Sequence, residues 1–122
     1  MREEVPTITI DENGTKRWRN KEGELHRIDG PALELINGTK YWYQNGVIHR
    51  IDGPAIEYRN GDKSWCQNGK KHRIDGPAVE YSDGTKHWYQ NGILHGTKEA
   101  FFDSLTDEEK KIALFSEAFH NA

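Results

Sequence analysis

The chain has 122 residues, 34% of them apolar and 30% charged, and a net charge of −3. That length holds one domain, and the acidic balance argues against a duplex-binding protein, which would be basic. The lone Cys66 excludes an internal disulfide and points to a reducing, cytoplasmic setting; with no secretory leader and no apolar run near about 18 residues, no membrane is expected.

The first segment, 1–13, reads as a capping strand. Val5-Pro6-Thr7-Ile8-Thr9-Ile10 should pair with the stretch Lys16–Arg19. From 14 to 96 the chain repeats itself. His26-Arg27-Ile28-Asp29-Gly30-Pro31-Ala32 returns at His49 and again at His72, 23 residues apart each time. Trp18, Trp42, Trp65 and Trp88 follow at spacings of 24, 23 and 23. Such a period indicates stacked supersecondary units, none of which buries its apolar face alone.

One unit runs from Pro54 to Gly76. Ala55-Ile56-Glu57-Tyr58 alternates as a half-buried strand, and Asn60-Gly61 is a hairpin signal. Lys63-Ser64-Trp65-Cys66-Gln67 returns, and Asn68-Gly69 makes a second tight turn. Lys70 to Arg73 is a third extended piece, ended at a sheet edge or bend by Asp75-Gly76-Pro77. Glu34, Glu57 and Glu80 precede Lys40, Lys63 and Lys86 by six residues. With a three-residue first turn each pair faces directly across the hairpin; with a two-residue turn the pair is diagonal. A cross-strand ion pair is expected either way.

The first unit carries one extra residue in its second turn, Asn20-Lys21-Glu22-Gly23, which suits an N-terminal cap. In the last unit His95 survives, but Gly96 replaces the arginine and the corner is lost. The segment 97–122 then turns helical. Thr106-Asp107-Glu108-Glu109 is a capping box, and Ile112, Phe115 and Phe119 fall at helical spacing. One helix bearing this stripe, with Phe101, Phe102 and Leu105, should close the C-terminal end of the sheet. The rival role is docking on a partner through Phe115 and Phe119.

Stacking aligns equivalent residues in rows about 10 Å apart, two strand spacings. Histidines so spaced cannot share an ion, because metal ligands converge to about 2.0–2.1 Å from it, so no metal site is expected. A satisfied structural role fits His26, His49, His72 and His95 best. Arg27, Arg50 and Arg73 either pair with nearby Asp and Glu or present a surface to phosphates or a partner's carboxylates. The tryptophans belong to the core. Tyr41, Tyr43 and Tyr89 point to the opposite face, where tyrosine beside arginine makes a protein-binding patch. Cys66 takes the place of Tyr43 and Tyr89 in its repeat and reads as an apolar filler.

No nucleophile elbow, phosphate-binding loop or His-Glu-x-x-His is present, and a catalytic site needs one unusual environment rather than three copies of one. A non-enzymatic chain without cofactor is therefore expected.

The pattern Trp-Tyr-x-Asn-Gly-x-x-His, then Asp-Gly-Pro-Ala-x-Glu-Tyr-x-Asn-Gly, resembles MORN-type repeats, closest to the YwqK antitoxin-like variant. Asn45-Gly46, Tyr58, Asn60-Gly61, Trp65 and Asn68-Gly69 carry the resemblance. The departure is His-Arg-x-Asp-Gly-Pro-Ala, where the ordinary repeat has a small residue at the arginine position. That signature resembles repeats in proteins of tailed phages and large DNA viruses. The resemblance implies a curved antiparallel meander of hairpins; with the 23-residue period and the C-terminal stripe, the fold expected is all-β, a MORN-like sheet of seven to nine strands with one C-terminal helix. It implies no chemistry, but a scaffold that binds proteins. A phage accessory protein that inhibits a host defence effector or enzyme by occupying its surface is the function expected. The alternatives are an antitoxin or immunity protein that masks a toxin, and a sponge for a small ligand or nucleotide. The expected contacts are Arg27, Arg50, Arg73, Tyr41, Tyr43, Tyr89, Phe115 and Phe119; unpaired sheet edges leave oligomerisation open.

Overall fold

The computed structural model describes residues 5–122; the first four residues of the expected capping segment lie outside that range. The chain is a meander of antiparallel hairpins followed by a helical region. In chain order the strands are β1 Thr7–Ile10, β2 Lys16–Arg19, β3 Leu33–Glu34, β4 Lys40–Tyr41, β5 Tyr43–Gln44, β6 Val47–Ile48 and β7 Ile56–Glu57. They continue with β8 Lys63–Ser64, β9 Cys66–Gln67, β10 Lys70–Lys71, β11 Val79–Glu80, β12 Lys86–Gln90 and β13 Ile93–His95. Nine of them form one sheet in the order β1-β2-β3-β4-β7-β8-β11-β12-β13, while β5-β6 and β9-β10 are separate two-stranded ladders. β1 pairs with β2 as the sequence predicts and forms the outer edge of the sheet.

Two kinds of turn alternate, and each follows from its residues. In the first, the Gly38 N–H donates to the Leu35 carbonyl at 3.0 Å, and the Leu35 N–H to the Thr39 carbonyl at 2.9 Å. This is a three-residue loop closed by a glycine bulge, with Gly38 at φ +98°, a conformation that disfavours any side chain. Its register puts Glu34 directly opposite Lys40, and the same holds for Glu57 with Lys63 and Glu80 with Lys86. In the second turn both central residues are left-handed, Asn45 at φ 49° and Gly46 at φ 80°. The extra residue in the first repeat converts this turn to the glycine-bulge form: Gly23 N–H donates to Asn20 O, and Asn20 N–H to Glu24 O.

Each tryptophan is the point where a strand changes partner. The Trp42 N–H donates to Ala55 of the next repeat at 2.8 Å, while its carbonyl accepts from His49 of its own hairpin at 3.1 Å. Trp65 does the same with Ala78 and His72. The alanine that ends each corner sits where strands converge: Ala32, Ala55 and Ala78 are fully buried.

The C-terminal region departs from the expected single helix. It forms three, α1 Lys98–Ser104, α2 Asp107–Leu114 and α3 Glu117–His120. The capping box at Thr106 and Glu109 is present. The break comes at Ser116, whose hydroxyl donates to the Asp75 carbonyl at 2.7 Å and accepts from the Phe119 N–H at 3.3 Å. That tie turns Phe119 inward and leaves Phe115 92% exposed. Phe101, Leu105, Ala113 and Phe119 bury against Trp88, with Ile74 and Phe102 packed beside them. The three helices lie over Trp88 near the C-terminal end of the sheet.

Candidate functional site

The face of the sheet that carries the tryptophans also carries the repeated corner, and nearly every residue of that corner has an internal task. The guanidinium of Arg27 lies 4.2 Å over the ring of Trp18, Arg50 lies 4.1 Å over Trp42, and Arg73 lies 4.0 Å over Trp65. The Nε of each donates to Asp29, Asp52 or Asp75 at 2.9–3.1 Å. The Nη1 of each donates to the proline carbonyl of its own corner, Pro31, Pro54 or Pro77. Arg50 and Arg73 also reach Glu57 and Glu80, at 3.2 and 3.1 Å. Those carboxylates therefore form their short ion pairs with arginine, and the lysine across the hairpin is a register neighbour. The glycine of the corner exists for this packing. A Cβ on Gly30, Gly53 or Gly76 would stand 2.7–2.8 Å from the guanidinium carbon.

The histidines join one repeat to the next. Nδ1 of His26, His49 and His72 accepts the backbone N–H of Asn45, Asn68 and Asn91, each at 3.0 Å. The partner is the amide of the following repeat's tight turn. An Nδ1 that accepts places the proton on Nε2. Burial holds the His72 imidazole below its ordinary range, opposed by the nearby Glu109 carboxylate.

The sequence-predicted contacts therefore separate. The arginine row is tied into the fold rather than free. Phe119 is buried in the cap and serves the core; Phe115 is at the surface. Tyr41, Tyr43 and Tyr89 are half-buried, with the rings of Tyr41 and Tyr43 6.5 Å apart. Sequence reasoning passed over Tyr58, which is more exposed and edge-on to Tyr41 at 6.4 Å, and the exposed Tyr81. Burial raises the phenols of Tyr43 and Tyr58, so both are hydrogen-bond donors at neutral pH. Cys66 is buried and its thiol is pushed up by that burial, which suits a filler rather than a nucleophile.

The residue of the corner left without an internal task is the isoleucine. Ile28 is 62% exposed and Ile51 76%. The signal was present in the sequence as an apolar residue repeated inside a polar corner. Each isoleucine borders a groove between successive repeats. The first groove, about 470 Å³, is lined by Ile28, Asp29, Trp42, Gln44, Arg50 and Ile51 among others. The second, about 520 Å³, repeats it with Ile51, Asp52, Trp65, Gln67 and Arg73, and adds Ile112 of α2 as a wall.

Among the described residues, no group of three or more His, Cys, Asp or Glu is placed to hold a metal ion. Among the same residues, no helix is long and apolar enough to cross a membrane. In comparisons with known proteins, no family model, no curated protein and no solved structure matches the chain.

Proposed function

We propose that this protein is a non-enzymatic, MORN-like protein-binding module, an accessory factor of the tailed-phage kind that inhibits a host defence effector or enzyme by occupying its surface. The observation that carries the reading is the exposure of Ile28 and Ile51 beside two equivalent grooves. Apolar side chains repeated at the surface, with no neighbour of their own to cover, mark an interaction face. Tyr58 and Tyr81 enlarge the adhesive surface on the other side of the sheet, since tyrosine is enriched at binding hot spots. A cytoplasmic setting belongs to the proposal and is supported by the single unpaired thiol of Cys66.

The antitoxin reading uses the same surface and differs only in the partner, a toxin. The ligand-sponge reading draws on one observation, that Arg50 and Arg73 line the grooves. Each guanidinium is already paired with two carboxylates, so an anion would have to displace one of them.

The test is affinity capture with the tagged full chain from host lysate, followed by reconstitution with the purified partner. A complex of fixed stoichiometry, lost in Ile28→Glu with Ile51→Glu while melting is unchanged, supports the reading. A nucleotide that co-purifies with no protein would refute it in favour of the sponge.

A further inference from the structure

Three equivalent grooves follow one another along the tryptophan face, and only the third is filled. Between the last two repeats, the place of Ile28 is taken by Ile74, that of Asp29 by Asp75, that of Trp42 by Trp88 and that of Gln44 by Gln90. The chain's own helices lie on all four. Phe101 and Phe119 pack on Trp88, with ring centroids 4.9 and 5.8 Å away. Ile74, half-buried, packs against the buried cluster. The Gln90 amide donates to the Glu109 carboxylate at 3.3 Å and accepts from the Ser104 hydroxyl at 2.9 Å. The Ser116 hydroxyl takes the Asp75 carbonyl. The burial of the same motif records the difference. The aspartate side chain is 86% and 88% exposed in the first two corners and 45% in the third, and the arginine 24%, 23% and 11%.

We propose that the first two grooves are docking subsites for a helical segment of another protein, seated as the chain's own helices are seated on the third. The occupant presents a carboxylate or hydroxyl to Gln44 or Gln67 and an apolar side chain to Ile28 or Ile51. This rests on the protein-binding reading and names the partner's chemistry. The internal template supplies the complementarity: glutamine met by a carboxylate and a hydroxyl, isoleucine met by apolar side chains. One difference refines it. Arg50 and Arg73 cover Trp42 and Trp65, whereas Gly96 stands where an arginine would cover Trp88. An occupant of the open grooves therefore rests on a guanidinium whose carboxylate pairs are already made, which suits an aromatic side chain stacked on its face. The occupant is another protein and not a second copy, because Phe101 and Phe119 of each copy are buried in its own third groove.

The probe is a synthetic peptide with the sequence of residues 97–122, titrated into the isotope-labelled full chain and read by NMR. The expected result is saturable shifts of the Ile28 and Ile51 methyls and the Gln44 and Gln67 side-chain amides, with the Trp88 indole unmoved. In the Ile28→Glu, Ile51→Glu variant, melting like the parent, affinity should fall at least about tenfold. No shift at Ile28 and Ile51 with millimolar peptide would overturn the proposal. So would shifts confined to Ile74 and Trp88, which would mean exchange with the chain's own cap. Groove shifts that depend on the concentration of the chain without peptide would give the grooves to a second copy and also overturn it. A partner that binds in the capture experiment while the peptide fails here removes only the groove assignment; failure of both removes the protein-binding reading as well.

Discussion

Gly53→Ala is the smallest change that probes the corner, because it adds one methyl group against one guanidinium. The added Cβ would lie 2.8 Å from Cζ of Arg50 and 3.0 Å from its Nε and Nη2. Gly53 is not in the left-handed region, so the backbone itself accepts alanine and the whole effect passes through Arg50. Displacing the guanidinium weakens its stack on Trp42, worth about 0.5–2 kcal/mol. It also strains the bonds to the Pro54 carbonyl at 2.9 Å and Glu57 at 3.2 Å, each charge-assisted and about 1.5–3 kcal/mol when intact. The pair with Asp52 adds little, because that carboxylate is 88% exposed. Partial loss of these contacts comes to about 2–3 kcal/mol. Against this stands about 0.4–1 kcal/mol gained when alanine replaces glycine in the unfolded chain. The net expectation is a loss of about 2 kcal/mol. In an Arg50→Ala background the obstacle is gone, and the same substitution should stabilise by about 0.4–1 kcal/mol. Urea unfolding of the parent, both single variants and the double variant gives the coupling directly. An equal loss in both backgrounds would refute the claim that this glycine makes room for the arginine.

Arg50→Glu combined with Arg73→Glu should lower stability by at least about 2 kcal/mol, since each arginine is bonded to its own corner; an unchanged melting curve would return the row to the role of a free interface. Phe101→Ala should cost about 3–5 kcal/mol, because this fully buried ring covers Trp88, and the loss is readable as exposed tryptophan fluorescence. Asn68→Ala, at φ 53°, should cost about 1–2 kcal/mol in thermal melts, while Asn68→Gly should be close to neutral. Acidification should also destabilise the array. Burial lowers the folded pKa of His72, so its contribution is complete above the unfolded value near 6.5 and is lost as pH falls from there through the folded value. Protonation takes away the Nδ1 acceptor of the Asn91 amide. A melting temperature that falls less below pH 6.5 in His72→Asn than in the parent checks the assignment.

Much of this architecture is local and was legible as such. The Asn-Gly turns, the alternation that predicts β1 and the capping box at Thr106 depend on residues within a few positions of one another, and the beat of the tryptophans shows as a period in the sequence. The direct register of Glu34 with Lys40 was one of two options, and the turn type selected it. The partner of the glutamates was not legible. Arg50 reaches Glu57 only because the corner folds back over Trp42, which brings residues seven apart onto one face. The isoleucines were visible as a repeated residue, yet nothing local separates a half-buried Ile74 from an exposed Ile28. The cap was read as one stripe, since Ile112, Phe115 and Phe119 satisfy helical spacing.

The sequence by itself determined a repeat of hairpins, because turn chemistry and strand alternation act over short range and the period copies them along the chain. Only the tertiary structure decided which copies of the motif face solvent. Ser116 finds the Asp75 carbonyl 41 residues away, turns Phe119 inward, and fills one groove of three. Such a contact depends on how the chain closes over its own end, and no local pattern encodes it.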